Sequence, residues 1–292
     1  MGREFATLAA LATFALTIGV GCPDDNAGPP TGPTSKPTTR GTTATTGTAA
    51  STAKPATTGS AAGTATAATG ATGTIKGVAN FAGKAPEMKV PTKRKEAELC
   101  KDKEVKYNAV LVNNGKLQDV LVRVMDVKGK FEAPKTKAEI DQKDCMYTPR
   151  IQAVMEGQQI DIKNGDATLH NVHAKKGAES LFNQAQPKGS PAITKEWDDN
   201  AVIKFTCDVH PWMRGFVVVH DNPFHAVSKD DGSFTIDKVP VGKYEVKAWH
   251  SQFGVKKASV EVAEGKTAEI KFDYTDKDEA PADNKDELKG LW

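Results

Sequence analysis

Three residue types that bind soft metal ions stand together in one short stretch, "CDVHPWMRGFVVVH", Cys207 to His220. Cys207, His210 and Met213 follow one another at intervals of three residues. The run "AVIKFTC" before them and "GFVVVH" after them read as strands, which leaves "DVHPWMR" as a tight loop. Such a loop turns a thiolate, an imidazole and a thioether toward one point. A fourth donor must come from another strand end, and "NGDATLHNVH" offers His170 at the start of one. One Cys, two His and one Met form the trigonal set with a weak axial thioether that suits a mononuclear copper ion changing between two oxidation states.

Other readings compete. A Cys-x-x-His pair by itself is common, and a buried cysteine is usually just a small hydrophobe. Zinc sites recruit further Cys, His or carboxylate ligands rather than Met, and no Cys-x-x-Cys-His is present for haem. His173 sits three residues past His170, so on a strand it faces the opposite way and is not expected to be a ligand. His220, His225 and His250 lack companion ligands at a useful spacing, and Trp249-His250 reads as packing. With 6 His in all, a multicopper enzyme is not expected. Neither Gly-x-Ser-x-Gly nor His-Glu-x-x-His occurs, so no catalytic residues are assigned.

The elements that must position these donors are strands. From Thr74 onward the apolar pattern repeats every second residue in "TIKGVANF", "VLVRVMDV", "QQIDIKN", "GSFTI", "KYEVKAW", "ASVEVAE" and "AEIKFDY". Turn signals separate them, among them "NNGK", "DDGS", "PVGK" and "AEGK". Only "PKTKAEIDQK" and "EAELCKDK" read as helical, each about two turns long. The fold class is therefore all-β, built from sandwiches.

Of the 4 cysteines, Cys22 lies near the N-terminus and Cys207 in the donor loop. Cys100 and Cys145 remain, and an exported chain is expected to pair them. That disulfide would close a loop of about 45 residues, worth about 3 to 4 kcal/mol in the chain-entropy view.

The donor spacing, His-Asn-Val-His followed by Cys-x-x-His-Pro-x-Met-Arg-Gly, resembles the cupredoxins, most closely those of the amicyanin type. The preceding "YTPRIQAVMEGQQIDIKNGD" is similar to the family's approach to its first ligand, and the likeness covers Met146 to His220. It implies a Greek-key sandwich with one type 1 copper held by His170, Cys207, His210 and Met213. It also implies that Asn171 holds the ligand loop and tunes the thiolate, while Pro211 and Trp212 shield the metal. His210 would lie at an apolar surface as the exit for electrons.

"VSKDDGSFTIDKVPVGKYEVKAW" resembles the carboxypeptidase-regulatory and Cna-B-like sandwiches of transthyretin type. The likeness rests on the Asp231-Gly232 turn, Phe234, the Val239-Pro240-Val241-Gly242 turn and Tyr244. "GTIKGVANFAGKAP" and "DVLVRVMDV" are similar to that family's first strands. The expected division is a signal in residues 1–21, a linker in 22–73, shared N-terminal strands in 74–130, a cupredoxin-like domain in 131–222, a regulatory-like sandwich in 223–275 and an acidic tail in 276–292. Residues 105–128 could instead supply first strands to the cupredoxin-like part.

Arg3 followed by "FATLAALATFALTIGVG" reads as an export signal. Its end at Gly21-Cys22 resembles a bacterial lipoprotein signal with Cys22 as the lipidated residue, although Gly19 stands where that pattern favours Leu. From Gly28 to Gly73 the chain is almost only Thr, Ala, Gly, Ser and Pro, a composition too poor in apolar side chains to order itself. The formal charge of +2 comes from interleaved lysines and acids, with no basic stripe for nucleic acid.

The expected protein is an exported, periplasmic or cell-surface, lipid-anchored monomer that carries single electrons between a donor and an acceptor protein. Two alternatives stand beside it: a copper-handling protein using the same ligands, and a surface module binding carbohydrate or protein.

Overall fold

The computed structural model describes residues 70–88, 98–101 and 110–279. The export signal, Cys22 and nearly all of the linker lie outside the described residues, as does the tail beyond residue 279. No helix among the described residues is long and apolar enough to cross a membrane.

The described chain is all-β. It opens with β1 (Thr72–Ala82), the single-turn α1 (Glu98–Lys101), β2 (Val112–Asn113), β3 (Lys116–Leu117) and β4 (Leu121–Val124). A central block follows: β5 (Ala138–Lys143), β6 (Met146–Thr148), β7 (Ile151–Met155), β8 (Ile160–Asn164), β9 (His170–Lys176), β10 (Glu179–Gln186), β11 (Ile193–Lys195), β12 (Ala201–Thr206) and β13 (Arg214–His220). The last strands are β14 (His225–Val227), β15 (Ser233–Pro240), β16 (Gly242–His250), β17 (Gly254–Val262) and β18 (Thr267–Thr275).

Two sandwiches result. In the central one, the sheet β10-β9-β12-β13-β7 faces the sheet β11-β8-β5-β6 across a core that includes Ile140, Ile162, Ile203, Phe205 and Val217. In the other, β15-β1-β3-β2, joined by β18 on β1, faces β14-β4-β16-β17 across Ile75, Val122, Phe234, Val246 and Phe272. Strand β1 runs parallel to β18 and antiparallel to β15, while β4 pairs with β14 and β16. The chain thus leaves one sandwich after β4, builds the other, and returns.

Strand periodicity explains how the two are joined. On β13, Val217 and Val219 point into the central core, while Phe216 and Val218 point out. The outward pair packs with Ile151, Ala153 and Val202 against Leu121 and Trp249 of the second sandwich. Trp249 meets Phe216 edge to face at 5.4 Å between centroids. β13 is buried on both faces, which is why it reads as an unbroken apolar run.

One element differs from the sequence expectation. "PKTKAEIDQK" was expected to be helical, yet Ala138–Lys143 is strand β5. Ile140 and Gln142 alternate inward, and the strand pairs in parallel with β8 and antiparallel with β6. Pairing on both edges outweighs the helical bias of Lys, Ala and Glu. The second helical expectation is met at Glu98–Lys101, and the other residues of that stretch lie outside the described residues.

Candidate metal centre

His170 is the first residue of β9, Cys207 follows the last residue of β12, and His210 lies in the loop that leads into β13. β9 and β12 are hydrogen-bonded neighbours, so their ends meet at one edge of the sandwich. Tyr147 fastens those ends: its hydroxyl lies 3.0 Å from the carbonyl of Asn171 and 3.1 Å from that of Thr206. Gly215 permits this closeness, since a Cβ there would stand 2.9 Å from the Cβ of Tyr147.

The three donors converge. Nδ1 of His170 and Nδ1 of His210 are 2.8 Å apart, and Sγ of Cys207 lies 4.0 Å and 3.7 Å from them. All three residues are buried, and their donor atoms form one of the candidate metal-holding groups among the described residues. Three ligands about 2.0–2.3 Å from one ion span gaps of this size. The second such group, Cys145 with Asp166 and His170, offers no thiolate, because Cys145 is disulfide-bonded. Met213 is fully buried in the same core, and its N–H donates to the carbonyl of His210 at 2.9 Å.

Burial prepares these groups to bind a cation. It lowers the pKa of His170 against the opposing pull of Asp166, and it lowers that of His210 to about 4, with the charge of His170 adding to the effect. Both imidazoles are neutral at pH 7 and keep lone pairs for a ligand. Burial raises the pKa of the Cys207 thiol, opposed by N–H groups of Asn171, Val209 and His210. A cation must therefore displace the thiol proton as it binds. The donor set of two neutral imidazoles and one buried sulfur fits a soft or borderline ion.

The surroundings fix the ligands. The Asn171 N–H points at Cys207 Sγ at 3.4 Å, and the Asn171 side chain accepts the Asp208 N–H at 2.6 Å. His173 faces away, bonding Asp208 at 3.1 Å and Ser180 at 3.0 Å. Trp212 is buried beside His210, and its indole N–H donates to the carbonyl of Cys145 at 3.0 Å. Cys100 and Cys145 are joined in a disulfide, as the cysteine count implied. Pro211, expected to shield the metal, lies at an exposed position of the loop.

His210 is 2% exposed, so its ring lies just beneath the surface rather than open on it. Its Nε2 faces Sγ of Cys100 at 3.8 Å. The exposed apolar side chains nearby in sequence are Leu169 and Val209, each just before one of the two histidines of the donor cluster. Asp166, absent from the sequence reading, touches His170 Nε2 at 2.9 Å. Its only signal was the Asn-Gly-Asp turn four residues before His170, which marks a turn without showing where the carboxylate reaches.

Residues 202–270 match a family model described as Polysaccharide lyase family 4, domain II. No curated protein matches the chain. Among solved structures, a purple cupredoxin from Nitrosopumilus maritimus is similar over 28% of this chain and 99% of its own, at 22% identity and a TM-score of 0.26. Amicyanin from Paracoccus versutus is similar over 34% of this chain and 96% of its own, at 22% identity and a TM-score of 0.27. A copper-containing nitrite reductase from Thermus scotoductus SA-01 is similar over 34% of this chain but 26% of its own, at 14% identity and a TM-score of 0.28.

Proposed function

We propose that this chain is an exported one-electron carrier with a single type 1 copper held by Nδ1 of His170, Nδ1 of His210 and Sγ of Cys207, with Met213 as the weak axial ligand. The observation that carries the reading is the convergence of those three donor atoms in a buried spot between two strand ends. Copper bound there would supply a Cu(II)/Cu(I) couple that exchanges one electron without bonding to a substrate.

The chain's own residues do the rest. The Asn171 N–H stabilises negative charge on Cys207, and Asp208 holds the Asn171 side chain in place. Tyr147 and the buried core keep the ligand strands from moving as the oxidation state changes. Tight burial also favours retention over ready release, which supports a carrier over a metal-delivery protein that uses the same ligands. The partners are a donor and an acceptor protein, the carrier acts as a monomer, and Cys22 anchors it by lipid at the periplasmic or cell surface. The second sandwich supports the centre rather than catalysing; the family match at residues 202–270 spans both sandwiches, from β12 to β18.

The test is a titration of the metal-free protein with Cu(II), followed by visible absorption. An intense sulfur-to-copper band saturating at one equivalent, abolished in Cys207→Ser and shifted in Met213→Leu, is expected. A weak spectrum indifferent to Cys207→Ser would remove copper from this site.

A further inference from the structure

The outer edge of His210 has an unusual neighbour. The ring offers Nδ1 to the donor cluster, and its opposite nitrogen, Nε2, lies 3.8 Å from Cys100 Sγ. Both sulfurs of the Cys100–Cys145 disulfide are fully buried.

The disulfide is also built onto the site. Cys145 and Asp144 form the tip of the β5–β6 hairpin, both with left-handed backbone, at φ 59° and 53°. Gly, Asn and Asp adopt that conformation readily, whereas a cysteine needs support. Asp166 provides it: one carboxylate oxygen accepts the Asp144 N–H at 2.9 Å and the other the Cys145 N–H at 2.8 Å. The oxygen that holds Cys145 also bonds His170 Nε2. Trp212, from the ligand loop itself, holds the Cys145 carbonyl. The hairpin tip is thus tied to one ligand through Asp166, to the ligand loop through Trp212, and to the edge of the second histidine through Cys100.

We propose that the Cys100–Cys145 disulfide is a fitted cover over the Nε2 edge of His210, a specificity element that keeps water, small redox reagents and exchangeable ligands from reaching the centre by that edge. The proposal rests on His210 being a ligand of the centre for its functional meaning. A disulfide suits the position: it is compact and apolar, it offers no strong donor or acceptor to perturb the imidazole, and its two covalent ends keep it from swinging aside. Electron exchange with large partners then proceeds where the cover allows, and small molecules are excluded.

Labelling of the metal-free protein with diethyl pyrocarbonate at pH 7, mapped by mass spectrometry, tests the cover without copper. The reagent acylates accessible neutral imidazole. N-acetylhistidine added to the same reaction reports free reactivity, and His220, fully buried, reports an intact fold. In the oxidised wild type, N-acetylhistidine is expected to react and His210 and His220 to be protected. In the Cys100→Ser/Cys145→Ser protein, His210 should react at least about tenfold faster while His220 stays protected. Rapid labelling of His210 in the wild type overturns the cover, and so does equal protection of His210 in a folded double variant. If His220 is labelled in the double variant, its fold is lost. The wild type then decides by the ratio of His210 to N-acetylhistidine labelling rates: below about one tenth supports the cover, near one overturns it. A protein with protected His210 that takes up no copper keeps the cover and loses the electron-carrier reading.

Discussion

The carboxylate of Asp166 bonds Nε2 of His170 at 2.9 Å and the backbone N–H of Cys145 at 2.8 Å through the same oxygen. An ionised carboxylate only accepts, so His170 carries its proton on Nε2 and turns a bare Nδ1 toward His210 and Cys207. This tautomer follows from the hydrogen-bond network. It is the one a metal at Nδ1 requires, and a carboxylate behind a ligating histidine is a recurrent way of orienting the ring.

Asp166→Asn should keep the copper band but raise the Cu(II)/Cu(I) potential, because a negative charge behind one ligand is lost. Cyclic voltammetry beside the wild type measures it, and an unchanged potential would deny Asp166 this role. Asp166→Ala should also cost the metal-free protein about 1–3 kcal/mol in urea unfolding, since two hairpin N–H groups and a buried imidazole lose their acceptor.

Tyr147 shares its hydroxyl between carbonyls of β9 and of the last residue of β12. Tyr147→Phe leaves both carbonyls without that donor and should destabilise the metal-free protein by about 1–2 kcal/mol. If the hydroxyl also steadies the ligands, the copper-loaded variant should lose metal to a chelator faster than the wild type. Equal rates would confine Tyr147 to the stability of the fold.

The donor trio and the strands were readable in the sequence because each rests on local signals: residue type, short spacing and alternation. Cys100 and Cys145 could be paired because the other two cysteines had other uses. Three things depended on contacts distant in sequence. β5 reads as helix until β6 and β8 flank it. The cupredoxin resemblance gave no sign that Cys100, 110 residues earlier in the chain, packs 3.8 Å from His210 Nε2. The outward faces of β7, β12 and β13 are apolar only because Trp249 and Leu121 pack there.

That seam between the sandwiches also contains an ion pair, Arg150 Nε with Asp119 Oδ2 at 2.7 Å, both side chains nearly buried. Arg150 precedes β7, and Asp119 precedes β4 of the other sandwich. Asp119→Asn keeps the shape and the tolerance for φ 62° while removing the charge. It should cost about 3 kcal/mol, because a buried guanidinium loses its counter-charge. Asp119→Asn/Arg150→Met should cost less than the sum of the two single changes. Strict additivity in urea unfolding would show that the two residues do not interact.

His220 ends β13 fully buried, with the His225 ring 4.4 Å away between centroids. Burial first, then the positive charges of His225 and Arg123, hold its pKa well below 6.5. Above pH 6.5 the ring is neutral whether the chain is folded or not, and it adds no pH dependence. As the pH falls below 6.5, the unfolded chain takes up a proton that the folded protein refuses. Stability is therefore lost toward acid, at up to about 1.4 kcal/mol per pH unit for this one group. His250, buried and held well below its usual value by burial and then Arg150, adds a limb of the same sign. Urea unfolding of the metal-free protein between pH 7 and pH 5 should show the decline. His220→Phe should make it shallower by about one proton, whatever its effect on stability at pH 7. A slope that does not change would mean that His220 is protonated in the folded protein as readily as in the unfolded chain.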